Sequence, residues 1–311
     1  MTTGLPRVSV CLLTYKRAAV LPGTLDSLLA QTHGDFELVI NDDRSPDETE
    51  VICREYERRD PRVRYFKNPV NLRYANNQNA AIVRARHDLV AIVHDGDVYR
   101  ADLIERWTRA MVEFPTAALV FNALEQMDAA GRVVKIHTHP YPPLVRGLDL
   151  FDEMIRRPDS PIFGIVMVRK PFVWEAGPFD PELPTLADVD MWMRLLLEHD
   201  AAYIPEPLLR IAPREPGHHN NSANWAVRAE HEKIYALNLA RRFPGVRGAP
   251  SDLRGALNRM HWRERIRALA YCAYHGRWRA LVAGVHHVLR LPDPMRVVVS
   301  SPTSSWGGVR V

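Results

Sequence analysis

The sequence predicts an α/β protein built on a doubly wound, mostly parallel sheet flanked by helices, with a basic helical extension at its C-terminus. Strand-like and helix-like segments alternate through the first hundred residues, an order that places helices on both faces of a parallel sheet. The strand-like segments are continuous apolar runs, as expected for strands buried on both faces. With 311 residues and 46% hydrophobic content, the chain is large enough to bury a full core.

The first four predicted strands are short apolar runs joined by segments with helical spacing. We predict strands over residues 8–13, 36–40, 63–66 and 89–93. Leucines three or four residues apart between residues 21 and 29 predict the first helix. The second helix is predicted to open with a capping box, in which Ser45 caps it, Pro46 takes its first position and Glu48 completes the box. A third helix is predicted over residues 71–85.

Beyond residue 100 the same reasoning predicts a longer and less regular series of elements. The series comprises a helix ending near 114, a strand at 117–121, a hairpin turning at 128–131, a proline-rich loop at 137–143, a helix at 148–156, a strand at 162–168 and an amphipathic helix at 188–198. Basic helices follow residue 225, and the last dozen residues are expected to be disordered. We therefore predict a catalytic domain over residues 1–225 and a basic helical extension over 226–311.

The two predicted parts carry opposite charge. Residues 226–311 hold 15 of the 41 Lys and Arg residues but 5 of the 37 Asp and Glu residues, so this tail is +10 and the first 225 residues are −6. A basic tail suits contact with anionic lipid, that is, peripheral attachment to a membrane. Packing on the catalytic domain, a homo-oligomer contact and a solvated helical face are the alternatives. We expect no nucleic-acid partner.

Apolar runs and cysteines indicate the compartment. No run approaches the roughly 18 apolar residues of a membrane span, and residues 1–7 lead directly into a strand pattern. We expect a cytoplasmic protein, with any lipid contact at the inner face of the membrane. Cys11, Cys53 and Cys272 stand singly in apolar or helical contexts, so we expect reduced packing residues.

Polar residues gather where the predicted strands end. Parallel sheets bind ligands at the carboxyl ends of their strands. These ends carry Thr14, Tyr15, Lys16 and Arg17 after the first strand, Asn41, Asp42 and Asp43 after the second, and His94, Asp95 and Asp97 after the fourth. We therefore predict one edge of the sheet that combines an aromatic ring, cations and four carboxylates.

The Asp95-Gly96-Asp97 triplet is the first candidate for chemistry. Two spaced carboxylates can hold Mn²⁺ or Mg²⁺, which would neutralise a departing diphosphate. Such a triplet is more often a surface turn, because its residues favour turns. Its place directly after a buried strand favours the metal site.

Asp188 is the second candidate, at the start of a predicted amphipathic helix. A carboxylate there can act as a general base and take the proton of a hydroxyl group. The alternative is a first-turn aspartate that interacts favourably with the helix dipole. Asp190 has the same two interpretations, and both stay open.

Two further groups have weaker signals. His218 and His219 lie in a loop rich in glycine and asparagine, where a histidine can complete a metal site or simply be exposed. Arg73 and Tyr74 open the third predicted helix, where amides and a guanidinium can meet phosphate or a base. Their structural alternatives are a solvated arginine and a core tyrosine.

Taken in order, these segments resemble the family 2 glycosyltransferases of bacterial type, which have the GT-A fold and invert the anomeric centre. The matching segments are 8–17, 39–47, 68–79, 93–97, 177–180 and 187–195, within a stretch of about residues 6 to 222. The resemblance implies transfer of a sugar from a nucleoside-diphosphate sugar, with a UDP-sugar favoured. It also implies a saccharide, lipid-linked or small-molecule acceptor, in polysaccharide, glycolipid or natural-product glycan synthesis.

The resemblance also assigns roles to residues of this chain. The nucleotide-sugar-binding residues would be Thr14, Tyr15, Arg17, Asp42, Asp43, Arg73 and Asp95. Asp97 and Asp95 would bind Mn²⁺ or Mg²⁺, with Asp97 the more direct ligand. His219 is preferred over Glu215 and His218 as the remaining ligand. Asp188 would be the catalytic base.

Two departures from the family pattern keep two alternatives open. Gly96 stands where the family often has a third aspartate, and Ala187 where it often has a glutamate. A nucleotide-sugar-binding or assembly partner with impaired turnover is therefore one alternative. The other, a sugar nucleotidyltransferase, would show a glycine-rich basic loop after the first strand, and residues 13–17 contain no glycine.

Overall fold

A computed structural model describes residues 4–157, 160–212 and 225–243, with the isolated positions 255, 266, 269 and 285. These residues form two compact units. The first comprises residues 4–154 and 160–212, and the second comprises residues 155–157 and the described residues from 225 onward. The boundary predicted at residue 225 remains a prediction.

The described residues form twelve strands and eight helices. The strands are β1 (Val8–Thr14), β2 (Phe36–Asp42), β3 (Val63–Lys67), β4 (Leu89–His94), β5 (Val98–Tyr99), β6 (Ala117–Asn122), β7 (Leu124–Met127), β8 (Val133–His137), β9 (Leu144–Val145), β10 (Val166–Arg169), β11 (Asp200–Ile204) and β12 (Leu209–Ile211). The helices are α1 (Leu21–Leu29), α2 (Thr49–Arg59), α3 (Arg73–Arg84), α4 (Leu103–Glu113), α5 (Gly147–Arg156), α6 (Lys170–Ala176), α7 (Ala187–Glu198) and α8 (Trp225–Arg242).

The large sheet confirms the predicted fold class. Its eight strands lie in the order β3-β2-β1-β4-β10-β6-β11-β9. The pairs β1–β2, β1–β4, β2–β3 and β6–β11 are parallel, whereas β10 runs antiparallel to both β4 and β6. Strand β6 therefore runs in the same direction as β4, and the carboxyl ends of both lie at the same edge. A smaller sheet has the order β5-β12-β7-β8.

Apolar side chains from the sheet and its helices form the core of the first unit. All seven residues of β1 and all seven of β2 are buried, as expected for central parallel strands. Helix α1 buries its leucine stripe and α4 buries Trp107 completely. Cys11 and Cys53 are buried and free, as predicted, and Cys272 lies outside the described residues. Burial raises the pKa of the Cys53 thiol to about 12.

The predicted capping box is wrong. Helix α2 begins at Thr49, three residues later than the box requires. The Ser45 hydroxyl accepts a hydrogen bond from the Lys16 amide at 2.9 Å, so it ties two loops together and does not cap the helix. Asp47 orients the helix start, because its Oδ1 accepts hydrogen bonds from the amide and the hydroxyl of Thr49.

Strand β10 is also shorter than the predicted strand at 162–168. At the predicted start, the Ser160 hydroxyl donates to the Ile162 carbonyl at 2.8 Å and accepts from the Ile162 amide. This local turn occupies backbone groups that a strand would pair. The hairpin predicted at 128–131 is confirmed, with the Asp128 amide donating to the Arg132 carbonyl at 2.9 Å. Among the helices that could be searched, none is long and apolar enough to cross a membrane.

Candidate functional site

The carboxyl ends of three neighbouring strands meet at one edge of the large sheet, as the sequence predicted. In the parallel registers, Thr14 of β1 pairs with Asp42 of β2, and Leu13 pairs with His94 of β4. The amide of Asp43 donates to the Thr14 carbonyl at 3.0 Å, so the chain leaving β2 is held against the end of β1. The polar residues that end these strands therefore lie side by side at one edge of the sheet.

Asp95 is bound to the loop that follows β1. Its Oδ2 accepts a hydrogen bond from the Tyr15 amide at 3.3 Å, and Arg17 Nε lies 3.4 Å from its Oδ1. The Tyr15 side chain is 41% exposed, which leaves its ring accessible for stacking. The structure thus brings together three of the residues predicted to bind the nucleotide sugar.

Gly96 and Asp97 form a turn that is held by helix α1. The Gly96 amide donates to Thr24 Oγ1, which in turn donates to the Asp97 carbonyl, both at 3.0 Å. Gly96 has a φ of +83°, a left-handed backbone conformation that favours glycine. Asp97 is fully buried, and its Oδ1 accepts a hydrogen bond from the Ala212 amide at 3.0 Å. The turn is therefore a fixed structure, and the glycine between the aspartates has a conformational cause.

Asp42 is buried completely and is hydrogen-bonded within the protein. Its Oδ2 accepts from the Tyr65 hydroxyl at 2.6 Å, and its Oδ1 accepts from the Ser45 amide at 2.8 Å. Burial, reinforced by the neighbouring Asp42 carboxylate, raises the pKa of the Tyr65 hydroxyl well above its usual range. Asp42 therefore shapes the loop after β2, and its contact with a base remains a prediction.

Asp43 holds the beginning of helix α3. Its Oδ1 accepts hydrogen bonds from the Leu72 amide and the Asn68 side chain, and its Oδ2 accepts from the Arg73 amide at 2.9 Å. These bonds satisfy amides that the first turn of a helix leaves without intrahelical partners. Arg73 is exposed at the same position. Asp43 thus places Arg73 at the edge where the strands end.

Three basic residues at this edge share an unusual backbone conformation. Lys16, Arg44 and Arg73 have φ values of 57°, 64° and 64°, and no other non-glycine residue in the described part of the chain has a positive φ. They follow β1, β2 and β3, respectively. Such conformations cost about 1–3 kcal/mol and cluster at ligand-binding sites. Arg44 was not assigned a role from the sequence, because a positive φ leaves no mark in residue spacing.

Asp188 lies close to the side chain of His94, at the end of β4. It occupies the first turn of α7, and its Oδ1 accepts a hydrogen bond from the Val189 amide at 2.9 Å. A Cβ placed on Gly164 would lie 2.8 Å from Asp188 Oδ2 and 2.9 Å from Cε1 of His94, the residue before Asp95. Two segments almost a hundred residues apart in sequence therefore meet beside Gly164.

Asp190 has a structural role, which separates it from Asp188. It is 1% exposed and its Oδ2 lies 2.8 Å from Arg194 Nε. The same guanidinium donates to the carbonyls of Ala176, Gly177 and Pro178 at 2.6, 2.8 and 3.0 Å. Asp190 therefore neutralises a half-buried arginine that holds the end of α6.

The carboxylates of Asp95 and Asp97 fit a hard divalent cation. Mg²⁺ is usually held by one or two carboxylates together with substrate phosphates, and the turn offers two carboxylates of that chemistry. Within the residues that the structure describes, no three His, Cys, Asp or Glu side chains form a metal-binding group. The predicted ligand His219 and its alternatives Glu215 and His218 lie outside those residues.

Sequence reasoning missed Gly164 and gave no role to His94. Tyr74, which was left between a ligand contact and a core residue, also belongs to this neighbourhood. Its hydroxyl would lie 3.1 Å from a Cβ on Gly164, and its ring packs edge-on against His94 with centroids 6.1 Å apart. A glycine outside a turn motif gives no signal in a single sequence. The meeting of Asp188, His94 and Tyr74 beside Gly164 is therefore visible only in the folded structure.

Comparisons with known proteins match the chain to one family. Residues 9–165 match the profile described as Glycosyl transferase family 2. The chain is 30% identical over 267 residues to the validoxylamine A glucosyltransferase of Streptomyces hygroscopicus subsp. jinggangensis. This match covers 77% of the chain and 59% of that relative, so the chain spans less than two thirds of the relative's length.

Solved structures share the fold at low sequence identity. S. aureus TarS 1-349, in complex with UDP-GlcNAc, superposes with a TM-score of 0.58 at 17% identity, covering 94% of this chain and 90% of that one. The mannosyltransferase PcManGT of Pyrobaculum calidifontis, in complex with GDP-Man and Mn²⁺, gives a TM-score of 0.55 at 17% identity, with coverages of 95% and 83%. Both neighbours are GT-A transferases, and the fold expected from the sequence is confirmed.

Proposed function

Because the chain belongs to glycosyl transferase family 2, we propose that it moves a sugar from a nucleoside-diphosphate sugar to an acceptor hydroxyl, with inversion of the anomeric centre. The donor is held at the carboxyl edge of the large sheet. Tyr15, Arg17 and Asp95 contact the nucleotide, and Asp188 acts as the general base. UDP-sugars are the favoured donors, since the fold neighbour TarS binds UDP-GlcNAc.

One observation carries this proposal: the position of Asp188 beside His94. Asp188 Oδ2 and His94 Cε1 both lie within 2.9 Å of the Cβ position of Gly164, and His94 directly precedes Asp95. A base for the acceptor and a site for the donor's diphosphate must flank the same anomeric carbon. The closeness of Asp188 to His94, which directly precedes Asp95 in the chain, supports such an arrangement, whereas Asp190 is paired with Arg194.

The proposed reaction is a single displacement. Asp188 accepts the proton of the acceptor hydroxyl, and the oxygen forms a bond to the anomeric carbon. The bond between that carbon and the diphosphate oxygen breaks at the same time, so the nucleoside diphosphate leaves with the electron pair. A general base of this kind contributes about 10² to 10⁴ in rate.

Basic side chains at this edge also stabilise the leaving diphosphate. Arg17 beside Asp95 and the exposed Arg73 supply positive charge at the edge, and guanidinium groups bind phosphates in a bidentate manner. Asp95 and Asp97 would hold Mn²⁺ or Mg²⁺. When bound, the cation would stabilise the charge that develops on the diphosphate.

The acceptor is a saccharide, a lipid-linked saccharide or a small molecule that bears hydroxyl groups. Similarity to a validoxylamine A glucosyltransferase supports the small-molecule class, because that relative is named for a small-molecule acceptor. The chain covers 59% of the length of that relative, so a small-molecule acceptor is proposed for this chain.

Donor binding and turnover test the proposal directly. Thermal unfolding of the purified protein would be measured with UDP-, GDP- and dTDP-sugars, each with Mn²⁺ or with EDTA. We expect one nucleotide class to raise Tm only with Mn²⁺, because a ligand at 100 times its Kd stabilises by about 2.7 kcal/mol. The same donor should release nucleoside diphosphate in the presence of a hydroxyl acceptor.

Matched variants make the test specific. Asp95→Asn should abolish the Mn²⁺-dependent shift, whereas Asp149→Asn should retain it, because Asp149 forms an exposed ion pair on α5. Stabilisation by a donor without any release of diphosphate would contradict transfer and favour the nucleotide-sugar-binding partner. No stabilisation by any of the three donor classes would contradict the donor site itself.

A further inference from the structure

The backbone conformation at Gly164 is one that any residue can adopt, so it does not explain why this position is glycine. Its φ lies outside the left-handed region, unlike those of Gly96, Gly131 and Gly177. The constraint at Gly164 is space, because an added Cβ would meet atoms at 2.8, 2.9 and 3.1 Å. Real Cβ contacts below 3.0 Å essentially never occur. By contrast, a Cβ on Gly34 would meet nothing within 4 Å.

The three atoms around Gly164 belong to three different elements of the site. They are Oδ2 of Asp188 on α7, Cε1 of His94 at the end of β4, and the hydroxyl of Tyr74 on α3. All three are ends of side chains, so a methyl group at position 164 would displace these groups rather than the backbone. The nearest of them is the carboxylate oxygen proposed to accept the acceptor's proton.

We propose that Gly164 is a positioning residue of the transfer reaction, because its missing side chain lets the Asp188 carboxylate lie close to the backbone at a point that the His94 ring and the Tyr74 hydroxyl also approach. This inference rests on the proposed function of Asp188. The Tyr74 hydroxyl and the His94 ring also lie within 3.1 Å of the Cβ position of Gly164, and the two rings contact each other edge-on with centroids 6.1 Å apart. The carboxylate therefore shares a small space with two other side chains.

The reaction is sensitive to this placement. A shift of about 1 Å in a group that orients reacting atoms can lower the rate about 10²-fold. The carboxylate must give way to a methyl group that would otherwise lie 2.8 Å from it. Donor binding is assigned to Tyr15, Arg17 and the Asp95 turn, none of which provides one of the three atoms nearest to that methyl group.

The first experiment compares Gly164→Ala with Gly34→Ala in the full-length protein. For Gly164→Ala we expect kcat to fall about 10- to 100-fold, with the donor KM changed less than about twofold. Gly34→Ala adds the same methyl group in open space and should leave both constants unchanged. A kcat for Gly164→Ala within about twofold of wild type would overturn the inference.

A double-variant cycle separates positioning from a general structural effect. If Gly164 acts through Asp188, adding Gly164→Ala to Asp188→Asn should lower the residual rate by less than about twofold. A further 10- to 100-fold loss in that background would show an effect independent of the base and overturn the inference. Normal turnover by Asp188→Asn would instead contradict the proposed function, so the two failures are distinguishable.

Tyr74→Phe provides a second variant in case Gly164→Ala does not fold. It removes only the hydroxyl that lies 3.1 Å from the Cβ position of Gly164, so the edge-on contact of the ring with His94 is kept. We expect a lower kcat, an unchanged Kd for the nucleoside diphosphate measured by calorimetry, and no further loss in the Asp188→Asn background. Full activity of Tyr74→Phe, or an additive loss with Asp188→Asn, would contradict the inference.

Discussion

The side-chain amide of Asn79 forms two hydrogen bonds with the backbone of Phe179, one hundred residues away. Asn79 Oδ1 accepts from the Phe179 amide, and Nδ2 donates to the Phe179 carbonyl, both at 2.9 Å. Asn79 lies on α3, and Phe179 lies in the loop between α6 and α7. The pair therefore fixes the approach to α7, which carries Asp188 in its first turn.

Replacing Asn79 by alanine should destabilise the protein. The change removes both hydrogen bonds and leaves two partly buried backbone groups without this partner, at a cost of about 1–3 kcal/mol. The measurement is urea unfolding of Asn79→Ala beside Asn76→Ala, an exposed asparagine on the same helix. We expect the control to stay within about 0.5 kcal/mol of wild type. Equal stability of the two variants would contradict a role for the Asn79–Phe179 pair.

Arg194→Met should cost far more stability than Asp188→Asn. The methionine removes the guanidinium that lies 2.8 Å from the buried Asp190 carboxylate, and loss of one partner of a buried ion pair typically costs about 3–5 kcal/mol. Asp188 is only partly buried and keeps its size as asparagine, so its variant should unfold close to wild type. Both are measured by chemical denaturation. A loss below about 1 kcal/mol for Arg194→Met would contradict a structural role for the Asp190–Arg194 pair.

Gly96 should tolerate asparagine better than alanine. A Cβ at this position would meet only Val20 and Ala212 at ordinary contact distances, so the constraint is the φ of +83°. Asparagine visits the left-handed region more readily than other residues, and alanine should cost about 1 kcal/mol or more. Thermal unfolding of Gly96→Asn and Gly96→Ala measures the difference. Greater stability of the alanine variant would show that conformation is not the constraint.

Glu37 should contribute a pH-dependent part of the stability. Burial would raise its pKa, but hydrogen bonds from Ser9, the Arg86 amide and Arg64 outweigh burial and hold the pKa below its usual value. A lowered folded-state pKa stabilises the protein above the unfolded value of about 4.3, and this contribution is lost as pH falls through the folded pKa.

The Glu37 prediction is tested by unfolding wild type and Glu37→Gln between pH 3 and pH 7. The difference in unfolding free energy between wild type and Glu37→Gln should be largest near neutral pH and should become smaller as the pH falls. Glu113→Gln, which changes an exposed glutamate at the end of α4, is the matched control substitution. A difference for Glu37→Gln that stays constant with pH would contradict the lowered pKa.

The regular elements of the fold could be predicted from the sequence because apolar spacing reports burial locally. The strands that end at Thr14, Asp42 and His94 were predicted within one or two residues. The start of α2 was not, because Ser45 and Asp47 compete for the same role and Lys16, from another loop, decides between them. Strands β5, β11 and β12 are too short or irregular to leave a clear pattern.

The carboxylates of the candidate site could be predicted from the sequence, but the contacts between the elements that carry them could not. Asp95, Asp97 and Asp188 are marked by strand ends and a helix start. The distinction between Asp188 and Asp190 depends on Arg194 and on the carbonyls that it binds, which no local pattern reveals. Gly164 depends on contacts from three elements. Spatial convergence of this kind appears only once the chain is folded.

Turnover by Asp188→Asn is the most direct test of the proposed mechanism. With donor and acceptor at saturating concentrations, we predict that kcat falls about 10²- to 10⁴-fold, while Tm and donor affinity stay close to wild type. Glu198→Gln, which changes an exposed carboxylate at the other end of α7, should keep full activity. A near-normal kcat for Asp188→Asn would contradict the assignment of Asp188 as the base.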